Sequence, residues 1–395
     1  MVRKKLLAAM IIVLFPATMQ CQVWEEHDYF KTTYIQTLMK KVTDWQMNHL
    51  VFESGGGYGN MGRVKDNGWI RGTLYLGVMA TYQTTGDRKY LDHCYQFAER
   101  NNWKLGPNIR HADDQTVGQV YLELYKLQQN DKYIQSLQQN LDSMYYFPQR
   151  GPTHGWDKNK NWSWSDALFM APPSIACLYN ITKDKKYLEL LDMYYWDTYN
   201  LLFDKEEKLF YRDERYLFSK KGKAKTKNGQ KVLWLRGNAW VLGGLARILQ
   251  YLPKSYDNYE RYLDLYRQMA GRLLELQQID GLWRPSLLDP WQFPEKETSG
   301  SSFICFALAW GINEGILDET TYKNPVKRAW LALTECVDEN GRLGWVQPVG
   351  HDPQHIKSTD TMEYGIGAFL LAAREIYKMS FIENVNKRYS EDSIY

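Results

Sequence analysis

The segments Asp87-Arg88-Lys89-Tyr90-Leu91, Asn130-Asp131-Lys132-Tyr133-Ile134 and Lys183-Asp184-Lys185-Lys186-Tyr187-Leu188 share one pattern. Each is a short polar turn followed by a Tyr paired with Leu or Ile, and each follows a stretch that ends in apolar residues. A polar turn that opens one helix directly after another marks a helical hairpin, and its recurrence marks a repeat architecture. The aromatic–aliphatic pair is suited to packing between hairpins. Around these turns, helical periodicity covers residues 28–48, 69–85, 88–101, 114–128, 131–146, 166–181, 185–201, 236–251, 257–277, 298–315, 321–337 and 361–379. Twelve helices make six hairpins. No capping repeat is evident at either end, so the pattern predicts an all-α, single-domain six-hairpin (α/α)6 toroid rather than an open solenoid. Such a ring has inner and outer helices, and its loops at one end line a central cleft. Val232-Leu233-Trp234 and Leu209-Phe210-Tyr211 are candidate short strands in an excursion between helices. The basic run Ser219 to Gly229 reads as a solvated hairpin loop, with contact to a polyanion as the alternative.

Composition narrows the partners. The 395 residues carry a net charge of +3, spread along the chain. That argues against a nucleic-acid groove or a polybasic membrane patch. The chain holds 15 Trp and 29 Tyr, which implies either a core rich in rings or a cleft for a ligand with flat apolar faces and polar edges, such as a carbohydrate. Arg3, Lys4 and Lys5 before the apolar run Leu6 to Phe15 form a signal-peptide pattern. Residues 1–21 are therefore expected to be a leader and residues 22–395 the toroid. The protein is expected in a periplasm or secreted. Lipid anchoring through Cys21 is the alternative, although Gln20 is bulky for a lipobox. Cys94, Cys177, Cys305 and Cys336 sit in apolar helical patterns and read as free buried thiols; no spacing resembles a metal site.

Four islands carry candidate chemistry. Asp66-Asn67-Gly68-Trp69-Ile70-Arg71-Gly72 enters an early helix. Arg110-His111-Ala112-Asp113-Asp114-Gln115-Thr116-Val117-Gly118-Gln119 places two carboxylates at a helix N-terminus, where negative charge is favoured; one Asp there would serve as a plain cap. Trp162-Ser163-Trp164-Ser165-Asp166 runs into Ala167-Leu168-Phe169-Met170-Ala171-Pro172-Pro173. A carboxylate walled by indoles is partly desolvated, which favours its neutral form and suits a general acid. The competing reading is that Ser165 or Asp166 only caps a helix. Finally, Trp234-Leu235-Arg236-Gly237-Asn238-Ala239-Trp240 puts a guanidinium and an indole on one helical face. That pair suits an acidic sugar, or else a packed aromatic helix with a snorkelling Arg.

Together these islands resemble glycoside hydrolase family 105, the unsaturated rhamnogalacturonyl hydrolases, and more distantly the unsaturated glucuronyl hydrolases of family 88. The resemblance runs from about Lys31 to Met379. Its most specific element is Trp164-x-Asp166-x-x-Phe169-Met170-Ala171-Pro172-Pro173, which implies that Asp166 is the catalytic carboxylate. Asp113 to Gly118 resembles the pattern around the second family carboxylate, so Asp113 is preferred over its neighbour Asp114. The resemblance implies substrate contacts from Trp164, Trp234, Arg236 and Trp240, with Trp69, His111, Asp114 and Arg212 completing the expected cleft. Glu363 to Ala372 resembles the family's last inner helix. One departure is Arg212, where family members often carry a His; this puts the leaving-side sugar in question more than the reaction. The implied reaction hydrates the C4=C5 bond of a terminal unsaturated uronic acid on lyase-generated oligosaccharides. It needs no metal and no cofactor. Asp166 protonates C4, the ring oxygen stabilises the cation at C5, and water adds there. An inverting glycosidase or sugar epimerase on the same toroid is the competing enzyme reading. A surface glycan-binding protein would keep the tryptophans without needing Asp113 and Asp166 together.

Overall fold

The computed structural model describes residues 28–50, 64–148, 162–218 and 224–392. The expected leader, Cys21 and residues 219–223 of the basic run lie outside them. The helices in chain order are α1 (Thr32–Asn48), α2 (Trp69–Thr85), α3 (Arg88–Arg100), α4 (Ala112–Gln115), α5 (Gly118–Gln128), α6 (Gln135–Tyr146), α7 (Ala167–Met170), α8 (Pro172–Thr182), α9 (Lys186–Leu202), α10 (Leu235–Leu249), α11 (Tyr259–Glu275), α12 (Thr298–Asn313), α13 (Glu319–Thr334) and α14 (Glu363–Asp392). A two-stranded antiparallel ribbon, β1 (Phe203–Asp204) and β2 (Leu209–Phe210), lies between α9 and α10. Leu209 and Phe210 thus form the expected strand, whereas Trp234 makes only an isolated bridge to Ser286.

The repeated turns act through named contacts. Asp87, Asn130 and Asp184 each accept the backbone N–H two residues on, from Lys89, Lys132 and Lys186. Such Asx turns satisfy orphan donors where a helix begins. At Asp87 and Asp184 the Lys and Tyr that follow then hold the preceding outer helix. Lys89 lies 2.9 Å and the Tyr90 hydroxyl 3.0 Å from the Asp44 carboxylate of α1. Lys186 lies 3.0 Å and the Tyr187 hydroxyl 2.8 Å from Asp142 of α6. One sequence motif therefore starts a helix and fixes it to its neighbour.

Helices α2, α5, α8, α10, α12 and α14 pack side by side in a closed inner ring, and α1, α3, α6, α9, α11 and α13 back them. Burial follows the layer. Every residue of α10 is buried, and so are nearly all of α12, whereas α3 and α11 bury one face. The four described cysteines are free and buried. No described helix is long and apolar enough to cross a membrane.

Closure depends on α14 meeting α2. A Cβ added at Gly77 would lie 2.7 Å from the Gly367 Cα, and one added at Gly367 would strike the Thr73 carbonyl. Beside this seam the fully buried Arg71 places Nη1 2.6 Å from Glu363 Oε2. Three helices depart from the expected spans. The segment expected over 114–128 breaks into α4 and α5, and that over 166–181 breaks into α7 and α8. The last helix runs thirteen residues past Met379, because Glu383 on that extension pairs with Lys323 and Lys327 of α13.

Gly367→Ala should destabilise the protein by about 2 kcal/mol or more, since backbone must move to admit the methyl group. Gly271→Ala, in the middle of α11 with only the Tyr322 hydroxyl 3.7 Å from the new Cβ, should instead stabilise by about 0.5–1 kcal/mol. Denaturant unfolding of both variants tests the opposite signs.

Candidate active site

The N-terminal ends of the inner helices gather at one end of the ring. Arg71 near the start of α2 meets Glu363 at the start of α14. Glu297, the N-cap of α12, accepts the Gln347 N–H at 3.2 Å in the loop before α14. Arg236 in the first turn of α10 donates to the carbonyls of Gln347 and Pro348. A Cβ on Gly237 would lie 2.9 Å from the Ser165 hydroxyl just before α7. Converging helix N-termini make this end favourable for anions. Asp113 and Asp166 both stand here.

Asp166 occupies the N-cap position of α7, but its side chain makes no capping hydrogen bond. The carboxylate turns instead to the Ser165 hydroxyl at 3.4 Å and to Arg212 Nε at 3.3 Å. The capping explanation for this residue is therefore removed. The strand-like segment that carries it is held by a Trp164–Asp213 bridge and by the Ser165 N–H donating to the Arg212 carbonyl at 2.8 Å.

Behind Asp166 the helix is interrupted. Pro172 and Pro173 have no N–H, so the Leu168 and Phe169 carbonyls have no backbone donor four residues on. The Ser174 N–H, which would serve Met170, goes to Ala171. Gln119 of α5 supplies the missing donors: its Nε2 donates to the Phe169 carbonyl at 2.8 Å and the Met170 carbonyl at 3.2 Å. Arg247 Nε donates to Gln119 Oε1 at 2.7 Å, which fixes the orientation of that amide. Glu123 lies 3.7 Å from Arg247 and 3.3 Å from Lys126. Burial would raise its pKa, but these cations outweigh burial and keep it low. Sequence reading gave Gln119 no role of its own and missed Arg247 and Glu123. The Pro-Pro pair showed that donors were needed but not where they would come from.

Asp113 and Asp166 form an electrostatic pair. The Asp113 carboxyl is pushed up to about 7, first by burial and then by the charge of Asp166, with Arg212 acting the other way. The sequence reading makes Asp166 the proton donor; in the structure Asp113 is the member whose neutral form is favoured, and Asp166 faces a guanidinium. Arg212 Nη1 also donates to Asp213 at 2.8 Å. Burial raises Asp213, but hydrogen bonds from Arg215 and Arg212 hold it below the usual range.

The adjacent carboxylates separate in role. Asp113 leaves 24% of its side chain accessible. Asp114 is buried and accepts the Asn108 N–H at 3.0 Å, bracing the loop before α4. His111 stacks obliquely on Trp164 with centroids 4.9 Å apart and lies 4.0 Å from Asp113; burial lowers its pKa. Trp69 is half-buried and packs against Tyr364 and Trp240.

Three expected substrate contacts are placed differently. Trp240 is enclosed by Phe169, Phe303 and Tyr364. Trp234 is buried and donates Nε1–H to Gln347 Oε1 at 3.0 Å. Arg236, expected as the carboxylate clamp, is buried between the Trp234 and Tyr364 rings, with Nη1 and Nη2 on the carbonyls of Gln347 and Pro348 at 2.7 and 3.0 Å. Its neighbours are rings and backbone oxygens, so its ordering role is to hold the 347–348 loop. Arg212 is the guanidinium that stands against the carboxylate pair.

This ring of helices around a paired-carboxylate site is that of a glycoside hydrolase. The chain belongs to Glycosyl Hydrolase Family 88, whose family model matches residues 38–380. It is 38% identical over 356 residues, 87% of this chain and 91% of the relative, to an unsaturated 3S-rhamnoglycuronyl hydrolase of Formosa agariphila. A protein of the same name from Alteromonas sp. is 37% identical over 322 residues, 78% of this chain and 77% of that one. Among solved structures, a family 88 glycosyl hydrolase from Bacteroides vulgatus superposes with a TM-score of 0.77 at 29% identity, covering 88% of this chain and 99% of its own. Another, titled a polysaccharide lyase, has the same TM-score of 0.77 at 31% identity, covering 88% and 98%.

Gln119→Leu should destabilise the fold by roughly 1–3 kcal/mol for each buried group it strands, and should lower turnover through the displaced Asp166 segment. Thermal unfolding alongside kinetics checks both. Asp113 gives a pH signature. Its folded pKa of about 7 lies above the ordinary carboxylate value of 3.8, so the folded state binds more protons in that interval and stability falls as pH rises through it. Asp113→Asn removes this loss. The melting temperature of the variant should therefore gain on wild type between about pH 5 and about pH 8.

Proposed function

We propose that the protein removes a terminal 4,5-unsaturated uronic acid from lyase-generated oligosaccharides by hydrating the C4=C5 bond. The observation that carries this reading is the placing of Asp113 and Asp166 beside Arg212, where burial and the Asp166 charge push the Asp113 carboxyl up to about 7. The alkene is a vinyl ether, and its hydration needs one proton delivered to C4 and one taken from water. A pair that cycles a single proton does both. C4 gains the proton, and the cation at C5 is stabilised by the ring oxygen. Water adds its oxygen to C5 as its proton returns to the pair. The C5 hemiketal then opens to a ketone, the hemiacetal left at C1 collapses, and the aglycone departs as an alcohol. Attack is not at the anomeric carbon, so carboxylate spacing does not set stereochemistry here as it does in ordinary glycosidases.

We assign the charge facing the uronate carboxylate to Arg212 rather than Arg236, because Arg212 stands at the pair. The names of the Formosa and Alteromonas relatives support a 3S-rhamnose on the leaving side. The basic–apolar leader supports export. The fold neighbour titled a polysaccharide lyase supports a second reading, in which the alkene is a product.

Absorbance at the alkene band separates the two, falling for the hydrolase and rising for the lyase. Asp166→Asn should lower turnover at least about a hundredfold in a folded protein. Arg212→Lys should lower kcat/KM on every unsaturated uronide, since an ammonium cannot reproduce a rigid bidentate fork. Arg236→Lys should act chiefly on stability. Near-native turnover of folded Asp166→Asn would remove the assignment.

A further inference from the structure

Trp291 is 87% exposed, an unusual position for an indole in a chain that buries most of its rings. The loop that presents it is held firmly. Asp289 accepts from Asn228 Nδ2 at 2.8 Å, the Gln292 N–H returns to the Asp289 carbonyl, and Gln292 Oε1 accepts the Lys227 N–H at 2.8 Å. An exposed indole on a pinned loop loses little conformational freedom on contact, which is what a binding platform requires.

A chain of contacts links its loop to the carboxylate pair. Phe293, two residues on, packs against His355 with centroids 5.0 Å apart. In the same loop Asp352 accepts from the Tyr216 hydroxyl at 3.2 Å, and Tyr216 closes the turn that begins with Asp213. Asp213 holds Arg212, which meets Asp166. These contacts connect the carboxylate pair to the loop that carries Trp291. The other side of the loop is the hairpin that bears Lys225 and Lys227. Both are exposed, and neither forms an ion pair among the described residues. The nearby acids have other partners: Asp289 is buried on Asn228, and Glu295 lies 2.7 Å from His355.

We propose that Trp291 and Lys227 form a distal saccharide subsite that takes an anionic sugar of a longer oligosaccharide, beyond the bond that is cleaved. The indole stacks on the apolar face of the ring, and the ammonium meets its carboxylate or sulfate. The subsite rests on the uronide reading above for the identity of the chain it holds. It explains a basic hairpin and an exposed Trp that the catalytic pair does not use.

The test compares a lyase-generated unsaturated disaccharide with the tetrasaccharide of the same polymer. Trp291→Ala should lower kcat/KM for the tetrasaccharide about tenfold, equivalent to ~1.4 kcal/mol, mainly through KM. The disaccharide value should stay within about twofold. Trp291→Phe should recover part of the loss. Lys227→Gln should weaken the tetrasaccharide preference and its dependence on salt. Equal loss on both lengths, no loss on either, or a shift of Trp291→Ala to a different oligomeric state overturns the subsite. Calorimetric titration with the saturated tetrasaccharide, which has no alkene, keeps the two readings apart. Weaker binding by Trp291→Ala there supports the subsite even if wild type hydrates no unsaturated uronide. Unchanged binding there overturns it even if the hydration is observed.

Discussion

The ion pair between Arg71 and Glu363 lies where the ring of helices closes, and much of the site is arranged from that point. It joins the first turn of α2 to the first turn of α14 with both side chains fully buried. A buried pair of this kind is weak evidence for stability but strongly resists loss of one partner. The glycines beside it let the two backbones approach closely. With α14 fixed, Tyr364 reaches the Gln347 carbonyl at 2.5 Å, and that carbonyl also accepts from Arg236. The loop after α13, the start of α10 and the start of α2 are therefore held in one arrangement.

Within that frame the carboxylate pair is held against its own electrostatics. Two acids share a partly closed site, and Arg212 relieves some but not all of their repulsion. The fold tolerates this because Asp213 and Arg215 keep Arg212 in place from behind. A carboxyl pushed up to about 7 is useful to acid–base chemistry and unfavourable to stability.

The Gln119–Arg247–Glu123 chain shows how a local break can be repaired from a distance. A proline pair frees the segment before α8 from regular helix and so allows Asp166 to turn toward Arg212. The liberated carbonyls are buried and need donors. The repair comes from α5 across fifty residues of sequence, and it joins the Asp166 segment to the Arg247–Glu123 ion pair.

The amino-acid sequence by itself determined the helical hairpins, because capping turns and apolar periodicity are local properties and repeat with the chain. It also marked Asp113, Asp166 and the proline break, since carboxylates beside indoles and prolines in a helical pattern stand out without any three-dimensional context. What it left open was which side chains face which. Trp234, Arg236 and Trp240 share a helical face with apparent cleft chemistry, yet α10 is an inner helix buried on all sides, so that face packs on Phe303, Tyr364 and the 347–348 loop. Arg212 looked like a change in sugar preference and instead stands at the acid pair. Asp113 and Asp114 could be separated only by the Asn108 N–H that claims the second of them. Each of these outcomes depends on contacts between segments distant in sequence, which periodicity and composition do not encode and ring closure does.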